Sequence, residues 1–82
     1  MTQIFFFGRL ADVAGCQTLP HIGAMTLCDV IEDLAQGNRD LGTVLRDPST
    51  RAAINLMLVP YSENPFVGAS DELAFMPPVS GG

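Results

Sequence analysis

The 82-residue sequence predicts an α+β fold, a single mixed sheet with a helix packed across one face. Three observations lead there. Apolar runs of strand length stand near both ends of the chain, QIFFF at Gln3–Phe7 and LAFM at Leu73–Met76. One amphipathic stretch follows Thr26, with Leu27, Val30, Ile31 and Leu34 at helical spacing. The chain is too short to build more than one small core. The main elements run strand, strand, helix, strand, strand, strand. The first and last strands are the most apolar, so they are expected at the centre of the sheet. As neighbours they would be parallel, because the helix supplies a crossover between them.

The elements follow in order. Gln3–Phe7 is continuously apolar and so predicts a strand buried on both faces. Gly8 ends it. Leu10, Val13 and Ala14 suit a short helical turn closed by Gly15. Cys16–Pro20 reads as a short strand, confined to a sheet edge by Pro20. Thr26 can cap the main helix, with Asp29 three residues on, and Gly37–Asn38 stop it. A second short helix is expected over Asp40–Arg46, with Pro48 limiting its extent. Ala52–Asn55 and Met57–Val59 read as strands around a turn at Asn55–Leu56. Pro60 to Ser70 reads as loop, and Asp71–Glu72 as a solvated turn before the last strand. Residues 1–76 are expected to form the domain and residues 77–82 a flexible tail.

Composition narrows the function. Apolar residues make up 48% of the chain and charged residues 16%, against about 25% charged in ordinary domains. That excludes a disordered chain and is consistent with apolar surface left for a partner. The net charge is −5, with four scattered arginines and no lysine. Neither nucleic acid nor an anionic membrane suits such a surface. Cys16 and Cys28 are the only cysteines and His21 the only histidine, so no zinc motif can be built. Two free thiols, no signal peptide and no membrane span predict a cytoplasmic protein. Cys28, early in the helix, reads as a packing residue, and His21 as an exposed loop residue. Nucleotide-binding and hydrolase motifs are absent.

The tail carries the chemistry. The chain ends Pro77-Pro78-Val79-Ser80-Gly81-Gly82. With glycine at about 7% of residues, two glycines close roughly one chain in two hundred by chance, so the context has to decide. Two prolines stiffen the exit from the last strand and hold the tail extended. The glycines then present backbone without side chains, which can thread a channel that any Cβ would block. The reactive group would be the carboxylate of Gly82, a poor electrophile until it is activated, for example as an acyl-adenylate. Activation needs a nucleotide-binding partner, because this sequence has no nucleotide site.

The segment AAINLMLVP…DELAFMPPVSGG, from Ala52 to Gly82, resembles the small, sulfur-carrier subunit of molybdopterin synthase. The opening IFFFGRLADVAG is similar to that family's first strand and turn, so the resemblance covers nearly the whole chain. It implies a ubiquitin-like β-grasp fold. It also implies an activating enzyme that adenylates Gly82 with ATP, and a sulfur donor that converts the adenylate to a thiocarboxylate. The tail would then enter the large synthase subunit and give its sulfur to a cyclic pyranopterin, two transfers forming the dithiolene. The large subunit would dimerise with one small subunit at each end, a heterotetramer. Gly82 would carry the sulfur, Gly81 would give clearance, and Pro77, Pro78, Val79 and Ser80 would guide the tail. No cofactor is expected on the carrier, and ATP is consumed by the activating enzyme. Docking is expected to use apolar surface near the last strand, at Phe75 or Leu56.

Two positions depart from the family pattern. Ser70 replaces the glycine of a tight D-G-D-E turn, so that turn is expected to change shape, with Gly68 taking over its role. Leu56 stands where a polar turn residue is expected, and it is read either as buried under Phe66 and the long loop or as extending the docking patch. Three alternatives stay open: a thiamine-pathway sulfur carrier, a protein tag joined to target lysines through Gly82, and a binding module with no tail chemistry.

Overall fold

The computed structural model describes residues 1–77. Strand β1 (Thr2–Phe6) is followed by helix α1 (Arg9–Ala14), strand β2 (Thr18–His21) and the two-residue strand β3 (Met25–Thr26). Helices α2 (Leu27–Gly37) and α3 (Arg39–Leu45) come next, then strands β4 (Arg51–Ile54) and β5 (Met57–Val59). A single 3-10 turn at Tyr61–Glu63, strand β6 (Phe66–Val67) and strand β7 (Glu72–Met76) complete the described elements.

The main sheet runs β2-β1-β7-β4-β5. β1 and β7 are interior neighbours and parallel, with Ile4 opposite Leu73 and Phe6 opposite Phe75, as their apolar runs predict. Pro20 lies in the edge strand β2, where its missing N–H costs no ladder bond. All three helices cover one face. Leu27, Val30, Ile31 and Leu34 of α2 bury the predicted stripe against Ile4, Phe6, Leu73 and Phe75. The rings of Phe6 and Phe75 stack with centroids 6.1 Å apart, in the range where aromatic pairs add to simple burial.

The N-terminus of α2 is capped from two directions. Thr26 Oγ1 accepts from the Asp29 N–H, as the sequence predicts. The distant loop supplies the rest: Leu27 N–H donates to the Pro65 carbonyl at 2.8 Å, and Cys28 N–H to Asn64 Oδ1 at 2.8 Å. That is why the segment expected as plain loop contains order. Docked on α2, Phe66–Val67 pairs antiparallel with Met25–Thr26 and sends Val67 into the core. Asn38 ends α2 and also caps α3, its Oδ1 accepting from the Leu41 N–H at 3.1 Å.

Several expectations are corrected. β1 is buried on one face only: Ile4 and Phe6 enter the core, while Phe7 is 51% exposed. His21 is buried, not a surface residue. The Gly23 N–H donates to its Nδ1 at 2.9 Å, so the ring proton lies on Nε2 and is donated to Asp33 Oδ2 at 2.6 Å. Cys28 is exposed and Cys16 half-buried; both are free thiols. Cys28 points away from packing because the apolar stripe begins at Leu27, one residue earlier. Neither Ser70 nor Gly68 adopts a positive φ. The turn before β7 has changed shape: Asp71 N–H donates to the Gly68 carbonyl at 3.1 Å, and Gly68 N–H donates back to Asp71 Oδ2 at 2.7 Å.

Gly23 is the tightest point of the crossover into β3. Its φ is +65°, and a Cβ there would collide with Thr2 Oγ1 and stand 3.2 Å from the Gly68 carbonyl oxygen. Thr2 cannot yield, since it is buried and its hydroxyl donates to that same carbonyl at 2.7 Å. Gly23→Ala therefore combines backbone strain with overpacking, about 3 kcal/mol together. A thermal melt is expected to show Tm lowered by roughly 15 °C. A change under about 3 °C would mean that the crossover repacks freely.

Candidate functional site

The site is assembled where β7 ends. β7 lies between β1 and β4, so its course is set on both sides by ladder bonds. The pairing runs one residue past β1, with Phe7 N–H donating to the Phe75 carbonyl at 3.1 Å. Pro77 then ends it, because proline has no N–H to continue a ladder. Pro77 lies against Gly8, where an added Cβ would come 3.0 Å from the Pro77 ring. The chain thus leaves the middle of the sheet beside the β1–α1 junction. The expectations for Pro78, Val79, Ser80, Gly81 and Gly82 lie outside the described residues.

Phe75 is corrected. Expected at the docking surface, it is fully buried and stacked on Phe6. The strand alternates, so its neighbours Ala74 and Met76 face the other way. They meet Phe5, Phe7, Ala53 and Leu58 on the face that no helix covers, around an apolar hollow of about 420 Å³. Leu56, at the hairpin tip, and Glu72, at the start of β7, also line it. Leu58 is 69% and Leu56 92% exposed, so Leu56 is not buried under Phe66 and the long loop, which dock instead on the N-terminus of α2. A second hollow of about 450 Å³ lies beside it and shares Phe5 and Phe7, with Gly8 and Asp12 on its wall. Sequence reasoning missed this face because it took FFF for a doubly buried strand. The available signal was the helix count: α2 and its short neighbours can cover one side of a five-stranded sheet, not two.

The far end of the hollow is braced by polar contacts. Asn55 Nδ2 donates to Asp71 Oδ1 at 2.9 Å, and Glu72 N–H donates to Asn55 Oδ1 at 2.9 Å. The bond from Asn55, and then that from Gly68 N–H, hold the Asp71 carboxyl below its usual value of 3.8. The sign follows from linkage. A depressed folded-state pKa contributes stability that is complete above 3.8 and is lost as pH falls through the folded value. Asp47, lowered by the Ser49 side chain and then its backbone, acts in the same direction. Urea denaturation of wild type and Asp71→Asn is expected to separate the two most at pH 7, with the gap closing as pH falls below 3.8 and through the folded value. A gap that persisted at low pH would show that the Asp71 charge is not what stabilises the turn.

Among the described residues, no three His, Cys, Asp or Glu side chains converge as a metal site. Nor is any helix among them long and apolar enough to cross a membrane. What the arrangement offers is an open apolar face beside the point where β7 leaves the middle of the sheet.

This mixed five-stranded sheet, gripping one main helix and releasing its C-terminal strand from the centre, is the β-grasp of ubiquitin-like proteins. The ThiS family matches residues 4–82, and the chain belongs to that family. It has the fold of ThiS-type sulfur carriers. Among solved structures, small archaeal modifier protein 1 from Methanosarcina acetivorans is similar with a TM-score of 0.83 at 26% identity, over 99% of this chain and 95% of that one. CysO from Mycobacterium tuberculosis is similar with a TM-score of 0.79 at 21% identity, over 96% of this chain and 100% of that one. The Pyrococcus furiosus protein described as molybdopterin converting factor, subunit 1, has a TM-score of 0.73 at 17% identity, over 95% of this chain and 97% of that one. The last two likenesses concern the fold alone. A search of the curated proteins returned no match.

Proposed function

We propose that this chain is the sulfur carrier of molybdenum cofactor biosynthesis, acting through Gly82. The observation that supports the proposal is the central placement of β7, which brings the chain to Pro77 beside an open apolar face, in a sequence that ends Pro-Pro-Val-Ser-Gly-Gly. A carrier needs both parts: a rigid body to dock, and a slim end to insert.

In the first step the Gly82 carboxylate attacks the α-phosphorus of ATP on an activating enzyme, giving an acyl-adenylate and pyrophosphate. A donor protein's persulfide then displaces AMP to give an acyl disulfide, and a second thiol attacks the donor sulfur, forming a disulfide with it and releasing Gly82 as the thiocarboxylate. In the large synthase subunit that sulfur passes to the cyclic pyranopterin, and water returns Gly82 to a carboxylate. Two rounds supply both dithiolene sulfurs. The carrier body binds no cofactor in this scheme; ATP is spent on the activating enzyme, and the active-site side chains belong to the large subunit. The heterotetramer and the cytoplasmic setting are part of the same proposal.

Top-down mass spectrometry of the protein from its native cells tests this, with fragmentation through the tail. Oxygen-to-sulfur exchange confined to the C-terminal fragment is expected. An increment located on a methionine would be oxidation and would not count. Offering the thiocarboxylate to the large subunit with pyranopterin, and separately to thiazole assembly, distinguishes the molybdopterin carrier from the thiamine one. An unmodified tail that also resists ATP and an activating enzyme would overturn the carrier reading. The likeness to small archaeal modifier protein 1 favours a second reading, attachment of Gly82 to lysines of other proteins. A proteome search for Gly-Gly remnants on lysine decides it.

A further inference from the structure

The turn joining β4 to β5 places a leucine where backbone sterics favour glycine. Asn55 and Leu56 have φ of 51° and 71°, the left-handed pair of a two-residue hairpin turn. Asparagine accepts this setting through local hydrogen bonds, whereas the leucine Cβ crowds the next carbonyl. The turn is nevertheless locked. Asn55 N–H donates to the Glu72 carbonyl at 2.8 Å, and Glu72 N–H returns a bond to Asn55 Oδ1 at 2.9 Å. Asp71 takes the Asn55 side-chain amide and is itself held by Gly68 N–H at 2.7 Å. The hairpin tip is thereby tied to the start of β7, and the Leu56 backbone is held in one setting. Its side chain is 92% exposed, more than any other large apolar residue among those described, and it lines the open hollow. A disfavoured φ and an apolar side chain in water both weaken the free protein. Strain of this kind persists where the surroundings enforce it, and it clusters at functional positions. A rigidly presented apolar side chain is also the kind of group that anchors an interface, because little freedom is left to lose on binding.

We propose that Leu56 is a preorganised anchor, entering an apolar pocket of the adenylating enzyme as that enzyme takes the tail into its active site, and so helping to select that enzyme. This rests on the carrier reading above. The tail identifies the occupant. Five residues follow Pro77, and five extended residues span at most about 17 Å. A protein that closes on Gly82 therefore lies within that reach of Pro77, which follows Met76 at one end of the hollow. Leu56 stands at the opposite end, beside Glu72, and the strand from Glu72 to Met76 is about 13 Å long. A protein of ordinary interface size spans both ends. Its surface would pair an apolar pocket for Leu56 with a basic group for the exposed Glu72 carboxylate. The chain's net charge of −5 points to the same kind of partner.

The test is ATP–pyrophosphate exchange by the adenylating enzyme, with the carrier as varied substrate. Leu56→Gly removes the side chain and suits the left-handed turn. It is expected to raise Tm while raising the KM for the carrier about tenfold or more, with kcat unchanged. A purely structural role cannot produce a more stable protein that docks worse. Leu56→Met, which keeps an apolar side chain, is expected to stay within about threefold of wild type. A Leu56→Gly variant with wild-type KM overturns the anchor and leaves the carrier reading intact. Wild-type chain that supports no exchange, or supports it without Gly82, overturns the carrier reading, and the anchor falls with it.

Discussion

Removing Gly81 and Gly82 is expected to abolish adenylation and thiocarboxylate formation, with no residual activity above background, while Tm stays within about 2 °C of the full chain. The two halves of this expectation have separate causes. On the proposed carrier reading, activity depends on one carboxylate at the end of a strip of backbone that carries no Cβ. A chain ending at Ser80 would offer a carboxylate too, but two residues short and flanked by a side chain. Stability depends on the core, whose buried side chains run from Thr2 to Phe75 among the described residues. Pyrophosphate exchange and a circular-dichroism melt on the same preparation separate the halves. Retained activity would reduce the protein to a docking module. A collapsed Tm would mean that the tail is part of the fold.

Phe75→Ala is expected to do the reverse, destroying the fold before any question of docking arises. The ring is fully buried and stacks on Phe6 across the parallel β1–β7 pair. Truncating a buried phenylalanine costs about 3–5 kcal/mol through lost transfer energy and the cavity left behind. A domain of this size has a total stability of about 4–12 kcal/mol, so much or all of it goes. Urea denaturation should show the midpoint falling by at least about a quarter, up to complete loss of the transition, with Phe75→Leu recovering most of the loss. If Phe75 were a surface docking residue, Phe75→Ala would leave the midpoint alone and weaken only partner binding. That outcome would contradict the packing described above.

Phe75 also shows where reading a sequence stops. That LAFM forms a strand is a local fact, carried by apolar residues between turn signals. Which of its side chains face a partner depends on which face the helices cover, and no window of residues contains that information. The same limit governs FFF in β1. Three successive phenylalanines look alike in the sequence, yet Phe6 is buried in the core and Phe7 is half exposed on the open face. His21 looked like a loop residue because its partners, Asp33 on α2 and the Gly23 amide, meet it only after the chain has folded back. Phe66–Val67 is too short to register as a strand alone, and exists because Met25–Thr26 is there to pair with it.

Other features were local and therefore legible. Thr26 and the Leu27–Leu34 stripe define α2, since a cap and a periodic face need only neighbours within a few turns. Asn55 marks the hairpin because left-handed backbone is a property of the residue itself. The Pro-Pro and Gly-Gly ending is likewise a local signal, and the chemistry proposed for it rests on those residues alone. The sequence by itself therefore determined most of the elements and the parallel central pair. Only the tertiary structure decided which apolar residues are core and which lie on the open face. The reason is that burial is a relation between segments distant in sequence, and β7 acquires an inside and an outside only when α2 closes over one face.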